Sequence, residues 1–308
     1  MKRSPFISGF TDEVSDDLDV QIRALKELGW SHIDLRTVDG KNVSGLSDDE
    51  FERVHARLCE NGITIACFGS TVANWGRDAR SDTELDLQEL RNSIRHMHKA
   101  GVRHLRIMSY KIDGPVPLGH ELESVVIANI RKITEIAADN DIVCLHENCL
   151  SWGGQSHLHS LRLLEAVDSP ALRLVFDTGN PVSMLDVRGE QPYGYQNPYH
   201  FFDQVRDYVD YIHIKDAVID NGEVRYVFPG EGDAMVGEIL DSLAEHETVL
   251  PISIEPHIAV VFHDPSVTAT SEDRWSTFID YGNQFVSMAT EAGISFGPEQ
   301  PITGRNRL

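Results

Sequence analysis

Eight times along this 308-residue chain a short apolar or β-branched run is followed by a stretch of helical period, and that alternation constrains the fold more than any other feature. The runs fall at residues 6–10, 32–36, 64–70, 104–110, 142–148, 172–178, 211–216 and 250–256. The helical stretches follow at 18–28, 48–61, 83–100, 122–138, 157–167, 199–207, 235–245 and 273–292. Gly29, Gly62 and Gly101 come directly after the first three, where a left-handed residue relieves the last helical turn. Strands that stay apolar until their C-terminal ends are strands covered on both faces, as in a parallel sheet wrapped by helices. Eight βα units, with no G-x-G-x-x-G after the first strand, favour a closed (β/α)8 TIM barrel over an open doubly wound sheet. One α/β barrel domain over 1–308 is expected, with the barrel at about 5–292 and an irregular tail at 293–308.

Two connections break the rhythm, at 186–200 and 258–270, and both follow strands, so both overhang the C-terminal mouth. Such loops serve as lids or as subunit contacts in a homo-oligomer, and Tyr193, Tyr195, Tyr199 and Phe262 are candidates for aromatic walls. With 27 basic against 49 acidic residues the formal charge is −22, which repels nucleic acid, and no cluster of Lys or Arg offsets it. No segment reaches ~18 consecutive apolar residues, so neither a membrane partner nor a secretory leader is expected and the localisation reads as cytoplasmic. Cys59, Cys67, Cys144 and Cys149 lack C-x-x-C spacing and read as core thiols of a reducing compartment.

The chemistry gathers at the ends of the last four strands. HEN, FDTGN, HIKD and IEP put Glu147, Asp177, His213 and Glu255 at four consecutive strand exits, which in a barrel converge on the face where barrel enzymes keep their active sites. Asp177 taken alone reads equally as a cap for the turn that follows. Glu147 and Glu255 do not, since Glu is a poor N-cap. Converging carboxylates repel one another, and a divalent cation resolves the repulsion. One imidazole with three carboxylates is a hard, oxygen-rich set suited to one Mn²⁺, with Mg²⁺, Co²⁺ or Zn²⁺ as further fits.

These four motifs, in this order, resemble the sugar phosphate isomerase/epimerase superfamily with its xylose-isomerase-like barrel. The resemblance runs from the TDE after strand one to strand eight. It implies that Glu147, Asp177, His213 and Glu255 hold the metal and that Glu147 and Glu255 also serve as catalytic acid and base. It also has departures. Many members carry His where this chain has Asn180, ketose 3-epimerases carry Arg where it has Val218 or Ile219, and Cys149 stands where His often follows the Glu-Asn pair. The metal set is intact, and the changed positions are substrate contacts.

Further substrate-binding candidates are Lys215 and Asp216, which otherwise form a structural ion pair, and His257, which alternates to the same side as Glu255. Trp152 reads as a sugar-stacking wall or a loop anchor. Arg106 and Arg36 either bind hydroxyls or pair with core carboxylates, and His146 reads as packed. The amides of PGEGD at 229–233 could cradle a phosphate, but Glu231 argues against an anion there, so an unphosphorylated carbohydrate or polyol is expected. The expected activity is that of a divalent-metal-dependent isomerase/epimerase, removing the proton next to a carbonyl through a metal-stabilised enediolate. A lyase or dehydratase, of the inosose dehydratase or keto-glycoside β-eliminase kind, is the alternative. A metal-dependent nuclease would require more histidines and a basic surface.

Overall fold

The computed structural model describes residues 5–188, 192–245, 250–261, 267 and 269–296. Its centre is an 8-stranded sheet. The barrel strands are β1 (Ile7–Gly9), β2 (His32–Leu35), β3 (Thr64–Gly69), β4 (His104–Ile107), β5 (Val143–Glu147), β6 (Leu172–Asp177), β7 (Val209–Ile214) and β8 (Ile252–Ile254). Each strand from β2 to β8 pairs in parallel with the next, and β8 pairs with β1. Between β1 and β2 no ladder forms among the described residues; the Ser8 hydroxyl instead donates to Asp34 across the gap at 2.5 Å. The architecture is the nearly closed TIM barrel expected from the alternation.

Helices α1 (Leu18–Glu27), α2 (Asp48–Glu60), α3 (Thr83–Ala100), α4 (Glu121–Ala138), α5 (His157–Val167), α6 (Pro198–Val205), α7 (Val236–Glu245) and α8 (Ser271–Glu291) cover the sheet. Their ends follow local chemistry. Ser47 and Glu50 form a capping box at the start of α2, Thr270 and Asp273 another at α8, and Gly29, Gly62 and Gly101 hold φ near +70° after α1, α2 and α3. One apolar core joins the helices' inner faces to the sheet, including Ile22, Leu58, Leu90, Ile130, Phe202 and Phe285. A smaller set, Cys67, Leu145, Val175 and Tyr211, packs separately in contact with Phe6 and Val143. No helix among the described residues is long and apolar enough to cross a membrane.

Two features differ from the sequence expectation. A hairpin, Asp216–Asp220 with Glu223–Val227, follows β7, turning on Asn221 and Gly222, both at positive φ. Asn-Gly is the usual signature of that turn, because both central positions need left-handed backbone. Of the cysteines, all free, Cys59 is exposed on α2, whereas Cys67, Cys144 and Cys149 are buried.

Candidate metal centre and active site

Glu147 closes β5 and Asp177 closes β6, while His213 sits one residue before the end of β7 and Glu255 one residue beyond β8. One potential ligand atom from each lies within 4.8 Å of the others, and none of the four is more than 2% exposed. Their approach is secured beyond the strands. Asn148 accepts the Asp177 amide at 2.6 Å and donates to its carbonyl at 2.9 Å, carrying the β5–β6 pairing past the last ladder rung. Thr178 does the same for β6 and β7, donating to the Lys215 carbonyl at 2.6 Å and accepting its amide at 3.0 Å. Gly179 leaves room for Lys215, since a Cβ there would stand 2.7 Å from Lys215 Cγ.

Asp177 caps the turn with one oxygen and turns the other toward the cluster. Oδ1 accepts the amides of Gly179 and Asn180 at 2.9 and 2.7 Å, opening the short helix Asn180–Ser183. Oδ2 faces the cluster, 3.0 Å from Lys215 Nζ, and accepts no hydrogen bond.

Charge in the cluster is compensated by the chain itself, which corrects the view that repulsion alone requires a cation. Arg106 donates to Glu147 Oε2 at 2.9 Å, Arg36 donates to Glu255 Oε1, and Lys215 Nζ lies 2.9 Å from Glu255 Oε2. Both guanidinium groups lie over the Phe10 ring, Arg36 at 4.4 Å and Arg106 at 5.7 Å from its centroid. Burial raises the Glu147 carboxyl, but Arg106 and His213 overcome it and bring the group down to about 2. Burial is likewise overcome at Glu255, chiefly by Lys215, so this carboxyl lies well below the usual range. Asp177 is lifted to about 6 by burial, which Lys215 only partly offsets.

What fits a cation is the donor set. Neither ring nitrogen of the fully buried His213 has a hydrogen-bond partner, and Nδ1 faces Glu147 Oε1 at 3.9 Å. A buried imidazole with no partner carries an unmet desolvation cost, which a metal ligated by nitrogen relieves. One ring nitrogen of His213 and one oxygen each from Asp177, Glu147 and Glu255 are a four-donor set consistent with a divalent ion.

The structure brings most of the predicted substrate contacts to this cluster. Asn180 Nδ2 donates to Glu147 Oε1 at 3.2 Å, Lys215 and Arg106 are placed as described, and His257 Nε2 lies 3.9 Å from Glu255 Oε1. Arg36 and Arg106 thus take the carboxylate-pairing role. Asp216 and Trp152 are not brought there. Asp216 accepts the amides of Ala217, Gly230, Gly232 and Ala234, at 2.8 to 3.1 Å, and so fastens the PGEGD loop. The other two amides of that loop, from Glu231 and Asp233, bond to Phe228 and Ala217 carbonyls, so no amide of residues 230–234 is left for a phosphate. Trp152 is fully buried in a 3-10 turn edge-on to His159, as a loop anchor. His146 is packed, with Nε2 2.9 Å from Ser109 Oγ. Of the aromatic wall candidates, Tyr195 is exposed and bridges to Leu185, and Phe262 lies outside the described residues.

Sequence reasoning missed Glu13. It follows β1 in a 3-10 turn, takes the backbone amide of His257 at 2.8 Å and lies 2.9 Å from its Nδ1, so it fixes the ring. His257 holds φ +55°, a conformation rare outside glycine, which this pair helps to maintain. Asp12 beside it receives Arg36 on both oxygens, at 2.8 and 2.9 Å. The signal was the TDE after strand one, three polar residues that the fold buries completely.

Known proteins bear on this geometry. The family described as xylose isomerase-like TIM barrel matches residues 22–276. No curated protein matches the chain in sequence. Among solved structures, a xylose isomerase-like TIM barrel protein from Mycobacterium smegmatis in complex with magnesium is 18% identical, with TM-score 0.68 over 94% of this chain and 97% of that one. The IOLI protein with a bound zinc atom is 15% identical, with TM-score 0.69 over 93% and 99%. A D-allulose 3-epimerase from Methylomonas sp., in complex with D-allulose, is 16% identical, with TM-score 0.61 over 92% and 97%. At these identities the likeness is one of fold.

Proposed function

The chain belongs to the xylose isomerase-like TIM barrel family, and from that premise we propose that it is a divalent-metal-dependent sugar isomerase or epimerase. The observation that carries the reading is the convergence of Glu147, Asp177, His213 and Glu255 at the C-terminal mouth with His213 otherwise unpartnered. A divalent cation held by these four, Mn²⁺ by the hardness of the set, would supply Lewis-acid polarisation of a substrate carbonyl.

The remaining work falls to side chains. Glu147 and Glu255 stand on strands separated by β6 and β7, each steadied by its own arginine. Such a pair removes the proton beside the carbonyl at one carboxylate and returns one from the other, to the opposite face for epimerisation or to the neighbouring carbon for isomerisation. Asn180, at the lip beside Glu147, and Lys215, between Asp177 and Glu255, are placed to orient hydroxyl or carbonyl oxygens. The engaged amides of the PGEGD loop support an unphosphorylated carbohydrate or polyol as substrate. A cytoplasmic setting accords with the four free thiols.

Asn180 also favours a second reading, a lyase or dehydratase on a keto-polyol, because it stands where the resembling epimerases place a histidine. Incubation with Mn²⁺ and unphosphorylated ketohexoses or keto-inositols in deuterated water, followed by NMR, tests both. Exchange of the proton beside the carbonyl with an epimeric or isomeric product is expected. An enone absorbing in the ultraviolet would select the lyase, and no exchange with any substrate would overturn the proposal.

A further inference from the structure

Below the cluster, inside the barrel, a second polar group has no place in the chemistry so far. Asp34 lies in β2, 1% exposed, among residues of the barrel interior. Its Oδ1 accepts from Tyr211 at 2.6 Å and from Ser8 at 2.5 Å, while its Oδ2 has no hydrogen-bond partner. The Tyr211 and Ser8 hydroxyls are themselves 3.0 Å apart, so β1, β2 and β7 meet at this one carboxylate. His213 Nε2, which likewise has no hydrogen-bond partner, lies 3.7 Å from that oxygen.

We propose that Asp34, braced by Tyr211 and Ser8, is the positioning residue that receives the Nε2 hydrogen of His213 and so presents Nδ1 as the ligand atom at the mouth. The inference rests on the metal reading above and adds to it the group that aims the imidazole. A neutral imidazole carries one N–H, and the nitrogen that ligates must be the other one. An acceptor fixed behind Nε2 selects the tautomer with Nδ1 free. Phe10 and Tyr211 both pack edge-to-face with the ring, at 5.0 and 5.8 Å between centroids, and a tilt of the imidazole closes the separation of 3.7 Å. The arrangement also accounts for the cost of placing a carboxylate in the barrel interior. A buried carboxylate oxygen and a buried ring nitrogen, each without a partner, satisfy one another when the ring tilts. Carboxylates behind metal-ligating histidines typically change metal affinity by ~10–100-fold when removed, the range expected here.

The decisive measurement is the tautomer of His213 by ¹H–¹⁵N correlation NMR on the metal-free full chain, together with zinc affinity by competition with a chromophoric chelator. In the parent protein Nε2 should carry the proton and resonate as a hydrogen-bonded donor. Asp34→Asn should scramble that tautomer and weaken zinc binding at least ~10-fold, and Tyr211→Phe, which keeps the carboxylate but removes one brace, should weaken it less. A merely structural Asp34 would leave the tautomer unchanged. The proposal is overturned if Nε2 of the parent carries no proton, a result that needs no variant to fold, or if folded Asp34→Asn binds zinc within twofold of the parent. A parent that binds no zinc would remove the metal reading instead, and its His213 tautomer would still decide the Asp34 contact.

Discussion

β6 and β7 each deliver a buried aspartate as they leave the barrel, Asp177 at the end of one and Asp216 just beyond the other, and the two are used in opposite ways. Burial raises both carboxyls above the ordinary aspartate range. Asp216 is then filled: four backbone amides occupy it, and the loop at 229–234 is shaped around it. Asp177 gives one oxygen to two amides and keeps the other toward the cluster. Burial and a raised carboxyl are common to both aspartates, so what separates them is the one Asp177 oxygen that accepts no hydrogen bond.

Substitutions can break that contrast. The largest effect is expected at the glutamates flanking Asp177, where Glu147→Gln and Glu255→Gln should each lower the rate of substrate proton exchange by roughly 10²–10⁴-fold, since an amide cannot take the proton. Circular dichroism should show the fold intact, and exchange at the parent rate would clear that residue of the role. Next comes Asp177→Asn, expected to lower metal affinity by about 10-fold or more, because one anionic ligand becomes neutral while the turn it caps survives. Zinc competition measures this, and unchanged affinity would place Asp177 on the structural side with Asp216.

Asp216→Ala should do the converse. It strands four amides, and the loss of stability is expected at about 3 kcal/mol or more in urea melts, with metal affinity unaltered. A loss of metal binding without loss of stability would dissolve the distinction. The smallest effect belongs to the hairpin beyond Asp216. Gly222→Ala, at φ +86°, should cost about 1 kcal/mol and leave metal binding and exchange untouched.

Much of this was legible in the chain because it is written locally. Periodicity places α3 and α5 at the expected residues, with a glycine cap after α3, and polar residues ending apolar runs mark Glu147, Asp177, His213 and Glu255. What escaped depends on closure. Asp34 inside HIDL reads as an ordinary polar position of a strand until the barrel brings Tyr211 and His213 to it from more than half the chain away. Glu13 reads as part of a surface turn until His257 arrives. In sequence Asp216 reads as a substrate contact or as half of an ion pair with Lys215, and only the path of the loop shows that backbone amides fill its oxygens. The hairpin is a different kind of miss, since Asn221-Gly222 announces it locally.

The gap between β1 and β2 has a consequence for motion. A cylinder joined by ladders at every other interface but clasped there by Ser8 and Asp34 has one preferred line along which to breathe. Amide hydrogen exchange should begin along that line, at the facing edges of Ile7–Gly9 and His32–Leu35, before it reaches β5 or β6. The clasp shares Asp34 with His213, so loading the site with zinc should slow exchange at this seam, although no ligand residue lies on either strand. Breathing of the cylinder and release of the ion would then be one event seen from two sides.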